Sequence, residues 1–121
     1  MESARDIAKG LAQPGARLRK NIPAVYDAYA AMSSAVLADG VLPAKVKELV
    51  ALAIAATREC DGCIAAHARG AARQGATEAE VAEAMGVVIM MNGGPGTVWG
   101  PRALAAYREF AEPGDTAETP G

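Results

Sequence analysis

Apolar residues recur along this chain at spacings of three and four over most of its length, and no stretch alternates apolar and polar residues as a half-buried strand would. The pattern predicts an all-α protein of about six helices. A weak first helix covers about Glu2–Ala12 and is expected to end at Gln13-Pro14-Gly15, because proline inside a helix removes a donor and collides with the preceding turn. A second runs from near Pro23 to Asp39, with Gly40 as a left-handed stop. Leu42-Pro43 opens a third, with Pro43 at its first position. Its apolar stripe reads Val46, Leu49, Val50, Ala53, Ile54, and its end falls near Thr57 or Arg58.

The fourth helix starts at Cys60 or Asp61 and runs to Gln74, closed by Gly75. Thr77-Glu78-Ala79-Glu80 has the form of a capping box and starts the fifth, whose stripe is Val81, Met85, Val88, Ile89. Asn92-Gly93-Gly94-Pro95-Gly96 follows a helix rather than a strand, so it reads as a turn and not as a phosphate loop. A sixth helix covers about Thr97 to Phe110, with Pro101 in its first turns and Trp99 assigned to core or interface. The stretch from Glu112 is rich in Pro, Gly, Asp and Thr and is expected to be loose.

Composition narrows the function. With 121 residues, one domain is expected. The apolar share is 51 % but only 4 % of residues are aromatic, and alanine dominates. Such helices approach closely and leave a thin core, which makes self-association a natural source of further burial. The run Val87-Val88-Ile89-Met90-Met91 points the same way, since in a helix it puts apolar groups on nearly every side. A net charge of −2 without a basic, aromatic-interleaved patch argues against nucleic acid as a partner. The first residues carry acids and no apolar core of a signal peptide, and Val81–Met91 is too short to span a bilayer. The expected location is cytoplasmic, without membrane association. In that compartment a lone C-x-x-C is a redox or metal-binding element more often than a structural staple.

The chemistry concentrates in Glu59-Cys60-Asp61-Gly62-Cys63-Ile64-Ala65-Ala66-His67, which holds both cysteines and the one histidine. Cys60, Cys63 and His67 stand at i, i+3 and i+7, on one helical face. A short turn near residue 59 makes the third and fourth helices antiparallel and brings Glu48 opposite residues near 70, within reach of His67. Only a thiolate is nucleophilic, and a helix N-terminus stabilises it. Imidazole suits removal of the thiol proton near neutral pH, and a carboxylate behind it orients the ring. A thiolate that attacks a peroxide becomes a sulfenic acid, which a second thiol three residues away converts to a disulfide. Other readings use the same residues. Cys60, Cys63, His67 and Glu48 have the donor types of a zinc site. The cysteines also fit a structural helical module as small buried groups, and Glu48 fits a solvated face beside Lys45 and Lys47. Asp61 and Glu59 read as helix-start acids. Ile64 occupies the place where a c-type haem motif needs histidine.

The run Lys47–Ala53, the segment Glu59-Cys60-Asp61-Gly62-Cys63 with Ala66-His67, and Gly75-Ala76-Thr77-Glu78-Ala79-Glu80-Val81 resemble the AhpD-like group of the carboxymuconolactone decarboxylase family. The likeness covers about Leu42 to Met91. It implies a helical domain over residues 1–111, with 112–121 as a tail, and assembly into homotrimers or homohexamers. It also implies a thiol-dependent peroxidase or dithiol–disulfide oxidoreductase that acts on a peroxide or disulfide and is recharged by a dithiol donor. No metal or organic cofactor is implied beyond the redox-active cysteine pair. By this resemblance Glu48 accepts a proton relayed by His67, Cys63 is the more buried, attacking thiol and Cys60 the exposed resolving one. The helix dipole alone favours Cys60 as the more acidic, whereas His67 at i+4 favours Cys63. Peroxidatic members carry a second histidine between the cysteines, where this chain has Gly62. A lyase of the decarboxylase branch, with Glu48 and His67 as acid and base, is the alternative, although members with that activity generally lack the cysteine pair.

Overall fold

A computed structural model describes residues 1–111. The expected loose stretch 112–121 lies outside them. Within them the chain forms six α-helices: α1 Ala4–Asn21, α2 Pro23–Leu37, α3 Ala44–Thr57, α4 Asp61–Arg73, α5 Glu78–Asn92 and α6 Gly96–Ala111. Helices α3 to α6 pack around one apolar core, α1 lies across α4 and α6, and α2 sits at the periphery. No described helix is long and apolar enough to cross a membrane.

The core is built from alanine. Ala55, Ala56, Ala65, Ala68, Ala71, Ala103 and Ala106 are buried beside Leu52, Ile64, Val81, Met85 and Val88. Small side chains at the crossings let helix axes come close, and larger groups fill the gaps. The fifth helix's predicted stripe holds for Val81, Met85 and Val88, while Ile89 stays partly exposed. Tyr107 ties α6 to the α4–α5 turn, its hydroxyl donating to the Ala76 carbonyl oxygen at 2.5 Å. Gly75 closes α4 with φ +82°, a conformation that other residues rarely adopt. The Thr77 capping box forms as read, with Glu80 accepting the Thr77 N–H and Thr77 accepting the Glu80 N–H. Lys45 pairs with the same Glu80 at 2.9 Å and so joins α3 to α5.

Four expectations need correction. First, α1 does not stop at Gln13-Pro14-Gly15 but continues to Asn21. The apolar positions Ile7, Leu11, Leu18 and Ile22 stay in phase across the proline, and both ends are secured. Ser3 caps the start by accepting from the Asp6 N–H, and Glu109 accepts the N–H groups of Ala4 and Arg5. Arg19 and Lys20 complement the dipole at the other end. Second, α2 ends at Leu37 and Gly40 is not left-handed, since the positive-φ glycines among the described residues are Gly75 and Gly93. Asp39 accepts the Ala44 N–H at 2.7 Å, and the Lys47 ammonium donates to the Ala38 carbonyl oxygen, so side chains make the stop. Third, Pro43 lies one residue earlier than read, at the N-cap of α3. Fourth, the stripe read for α3 holds in part: Leu49 and Ala53 pack against the core, but Val50 and Ile54 do not. Ala44, Glu48, Leu52, Ala55 and Ala56 are buried, whereas Val50 and Ile54 are about half exposed, at 49 % and 54 %.

Candidate active site

The site is made by the reversal between α3 and α4. Helix α3 ends in a Schellman closure: the Glu59 N–H donates to the Ala56 carbonyl oxygen and the Cys60 N–H to that of Ala55, both at 3.1 Å. The closure needs a left-handed residue, and Glu59 supplies it with φ 56° although it is not glycine. This folds α4 back along α3 and leaves Cys60 as the N-cap of α4. Its sulfur takes the part usually played by a serine or aspartate oxygen and accepts the Cys63 N–H at 3.2 Å.

Cys60 and Cys63 are joined as a disulfide, with their Cα atoms 5.2 Å apart. One turn further on, His67 faces Glu48 across the hairpin, with Nδ1 2.8 Å from Oε1. The register expected for the antiparallel pair is thus the one found. Glu48 is the buried charged residue among the described residues, its side chain 12 % exposed against 28 % for His67. A buried carboxylate needs a partner, and His67 is it. Because a carboxylate only accepts, the neutral ring carries its proton on Nδ1 and leaves Nε2 as the free base.

His67, Cys60 and Cys63 border one open depression of about 350 Å³, whose other walls are Ala51, Ile54, Ala55 and Arg58. Ile54, expected in the core, lines this depression instead, and Arg58, which carries no role in the sequence reading, adds a cationic residue to its wall. The burial order expected for the cysteines is reversed, with Cys63 exposed and Cys60 half-buried. Cys60 is drawn in by its role as the cap, while Cys63, three residues into the helix, points outward. Among the described residues no three His, Cys, Asp or Glu side chains are grouped as ligands for one metal ion. Asp61 sits in the first turn of α4, as a helix-start acid should. Glu59 belongs to the turn instead.

The family model described as carboxymuconolactone decarboxylase family matches residues 23–110, from the start of α2 nearly to the end of α6. The chain belongs to the carboxymuconolactone decarboxylase family. A crystal structure of an apo carboxymuconolactone decarboxylase family protein from Legionella pneumophila superposes with a TM-score of 0.85 and 33 % identity, covering 89 % of this chain and 96 % of that one. Uncharacterized proteins of Cupriavidus necator and Haemophilus influenzae are 41 % and 46 % identical over 85 and 90 residues. These stretches cover 70 % and 74 % of this chain, and 75 % and 80 % of those relatives. An uncharacterized protein from the cox locus of Paracoccus denitrificans is 38 % identical over 86 residues, which are 71 % of this chain and 78 % of its own. Helix α1 precedes the stretch that the family model matches, while the superposition with the Legionella protein, at 89 % of this chain, extends beyond that stretch.

Proposed function

We propose that this family member is a thiol-dependent peroxidase and dithiol–disulfide oxidoreductase, with Cys60 and Cys63 as the redox pair and Glu48–His67 as the proton relay. The observation that carries this reading is the shared depression: both sulfurs and the carboxylate-oriented imidazole open onto it together. In the reduced protein, Nε2 of His67 is the base available to the Cys63 thiol. The Cys63 thiolate attacks the distal oxygen of a hydroperoxide, the O–O bond breaks, and the alcohol leaves with the proton that the relay took. Cys60 then attacks the resulting Cys63 sulfenic sulfur, the S–O bond breaks, and water departs with the Cys60 proton. A dithiol donor reverses the oxidation. Its thiolate attacks the exposed Cys63 sulfur, the disulfide electrons pass to Cys60, and a second donor thiolate releases Cys63. Cys60 is the better leaving group because its thiolate keeps the Cys63 N–H and the helix N-terminus. Exposure, rather than burial, is thus the basis for assigning Cys63 the outward-facing role. The reaction so written draws on no metal or organic cofactor.

The family's name brings a second reading, a lyase in which Glu48 and His67 alone act as acid and base. Peroxide consumption with a panel of dithiol donors separates the two. The expected result is consumption lost in Cys60→Ser and in Cys63→Ser, with a sulfenic acid trapped by a cyclic 1,3-diketone in Cys60→Ser and not in Cys63→Ser. Peroxide turnover that survives the double Cys→Ser substitution would sink the dithiol reading.

A further inference from the structure

We propose that Gly70 is a positioning residue for the acid–base pair: the missing side chain at this position in α4 is what admits the Glu48 carboxylate to His67. The proposal rests on the reading of Glu48–His67 as the proton relay.

Gly70 lies one turn beyond His67, on the same face of α4. A Cβ built there would collide with Cδ, Oε1 and Oε2 of Glu48, the whole carboxylate at once. The carboxylate can yield only by moving away from α4, and that takes it off His67. Glu48 projects from a buried position of α3, and Oε1 is already committed to Nδ1 of His67. Gly70 is also costly where it stands. It is an interior helical glycine among Ala65, Ala66, Ala68, Ala71 and Ala72, where alanine is the better helix former and glycine loses the most freedom on folding. By contrast, a Cβ at Gly86, inside α5, meets nothing within 4 Å. Local propensity therefore argues for alanine at position 70, and the carboxylate argues against it. With the carboxylate displaced, His67 loses the acceptor that holds its proton on Nδ1, and imidazole reverts to its ordinary preference for the other nitrogen. The residue acts through Glu48 on His67 and touches no sulfur.

The test uses the oxidised protein and needs no turnover. His67 is the one histidine of the chain, so the side-chain ¹⁵N spectrum of histidine-labelled protein, taken at alkaline pH where the ring is neutral, reports this ring alone. The wild type and Gly86→Ala should show one tautomer, protonated on Nδ1. Gly70→Ala should lose it, with both nitrogens moving to the averaged or Nε2-protonated pattern of an unconstrained ring. An unchanged spectrum in Gly70→Ala overturns the proposal, as does a wild-type ring without the Nδ1 proton. If Gly70→Ala does not fold, Glu48→Ala and the double variant Glu48→Ala/Gly70→Ala decide. The double variant should be at least as stable as Glu48→Ala, since alanine then fits and favours the helix. A further loss of stability in the double variant would overturn the proposal. The relay fails separately: if Glu48→Gln and His67→Ala leave the rate of thiol alkylation in the reduced protein unchanged, that reading falls while the tautomer result stands.

Discussion

Leu11 of α1 rests against the backbone of Gly62, between the two cysteines: its Cδ1 is 3.0 Å from the point that a Cβ at position 62 would occupy. By the family resemblance, this is the place where peroxidatic members carry a second histidine. Here the first helix covers it instead.

This contact gives the first prediction. Gly62→His must push Leu11 aside, which costs about 1 kcal/mol, at the low end for overpacking, because Leu11 is itself half exposed and free to swing out. Leu11→Ala should remove that cost, so a double-mutant cycle on urea midpoints should show about 0.5 kcal/mol or more of coupling between the two positions. Strict additivity would mean that α1 does not restrict the site.

Glu59 tests the turn that aims Cys60. Its φ of 56° is tolerable for a linear side chain and poor for a branched one. Glu59→Val should lower stability by about 1–2 kcal/mol, whereas Glu59→Gly should equal or slightly exceed the wild type. Thermal denaturation of the three proteins is the measurement. A valine variant as stable as the glycine one would show that the left-handed turn is not needed.

A third prediction concerns pH. The Glu80 carboxyl is held below its ordinary value, first by the Thr77 backbone N–H and then by the Lys45 ammonium. Its folded pKa is the lower one, so its stabilising effect is complete above the unfolded carboxylate's titration and fades as pH falls through the depressed folded value. Glu80→Gln should therefore be less stable than the wild type at neutral pH, and the gap should narrow as the solution is acidified. Denaturant midpoints across the acidic range will show this, and a gap that widens toward low pH would contradict it.

These positions also show how far the chain could be read in advance. The six helices, the capping box, the Gly75 stop and the Glu48–His67 register all follow from residues near one another in sequence or from the period of a helix. What escaped was governed by size rather than polarity. On α3, the larger apolar residues draw attention to Val50 and Ile54, but the close helix crossings bury Ala44, Ala55 and Ala56 beside Leu52 and leave those two outside. Glu48 entered the interior on that alanine face because His67 was waiting there. Gly70 carries a signal in the sequence as well, a glycine inside a helix whose neighbouring small positions, Ala65, Ala66, Ala68, Ala71 and Ala72, are all alanine. The start of α1 is anchored by Glu109, 105 residues from Ala4, and no local rule reports such an anchor.

The fourth prediction concerns assembly. On α2, Val25, Tyr29, Met32 and Val36 follow one another at i, i+4, i+7 and i+11, and none of them is buried. A stripe of this kind is suited to packing against another copy. The chain is expected to be a trimer or hexamer by light scattering at low micromolar concentration, and Met32→Glu should reduce its mass while leaving its helical circular dichroism intact. A monomeric wild type would refute this.

The disulfide spans only two intervening residues, Asp61 and Gly62. A cross-link this short removes little conformational entropy from the unfolded chain, far less than one that closes a long loop. Cys60 caps α4 and Cys63 lies in its first turn, so the bond joins two residues that the helix start already holds side by side. On the proposed dithiol chemistry, closing and opening the bond therefore asks no helix to move, and the difference between the two forms is concentrated at the sulfurs.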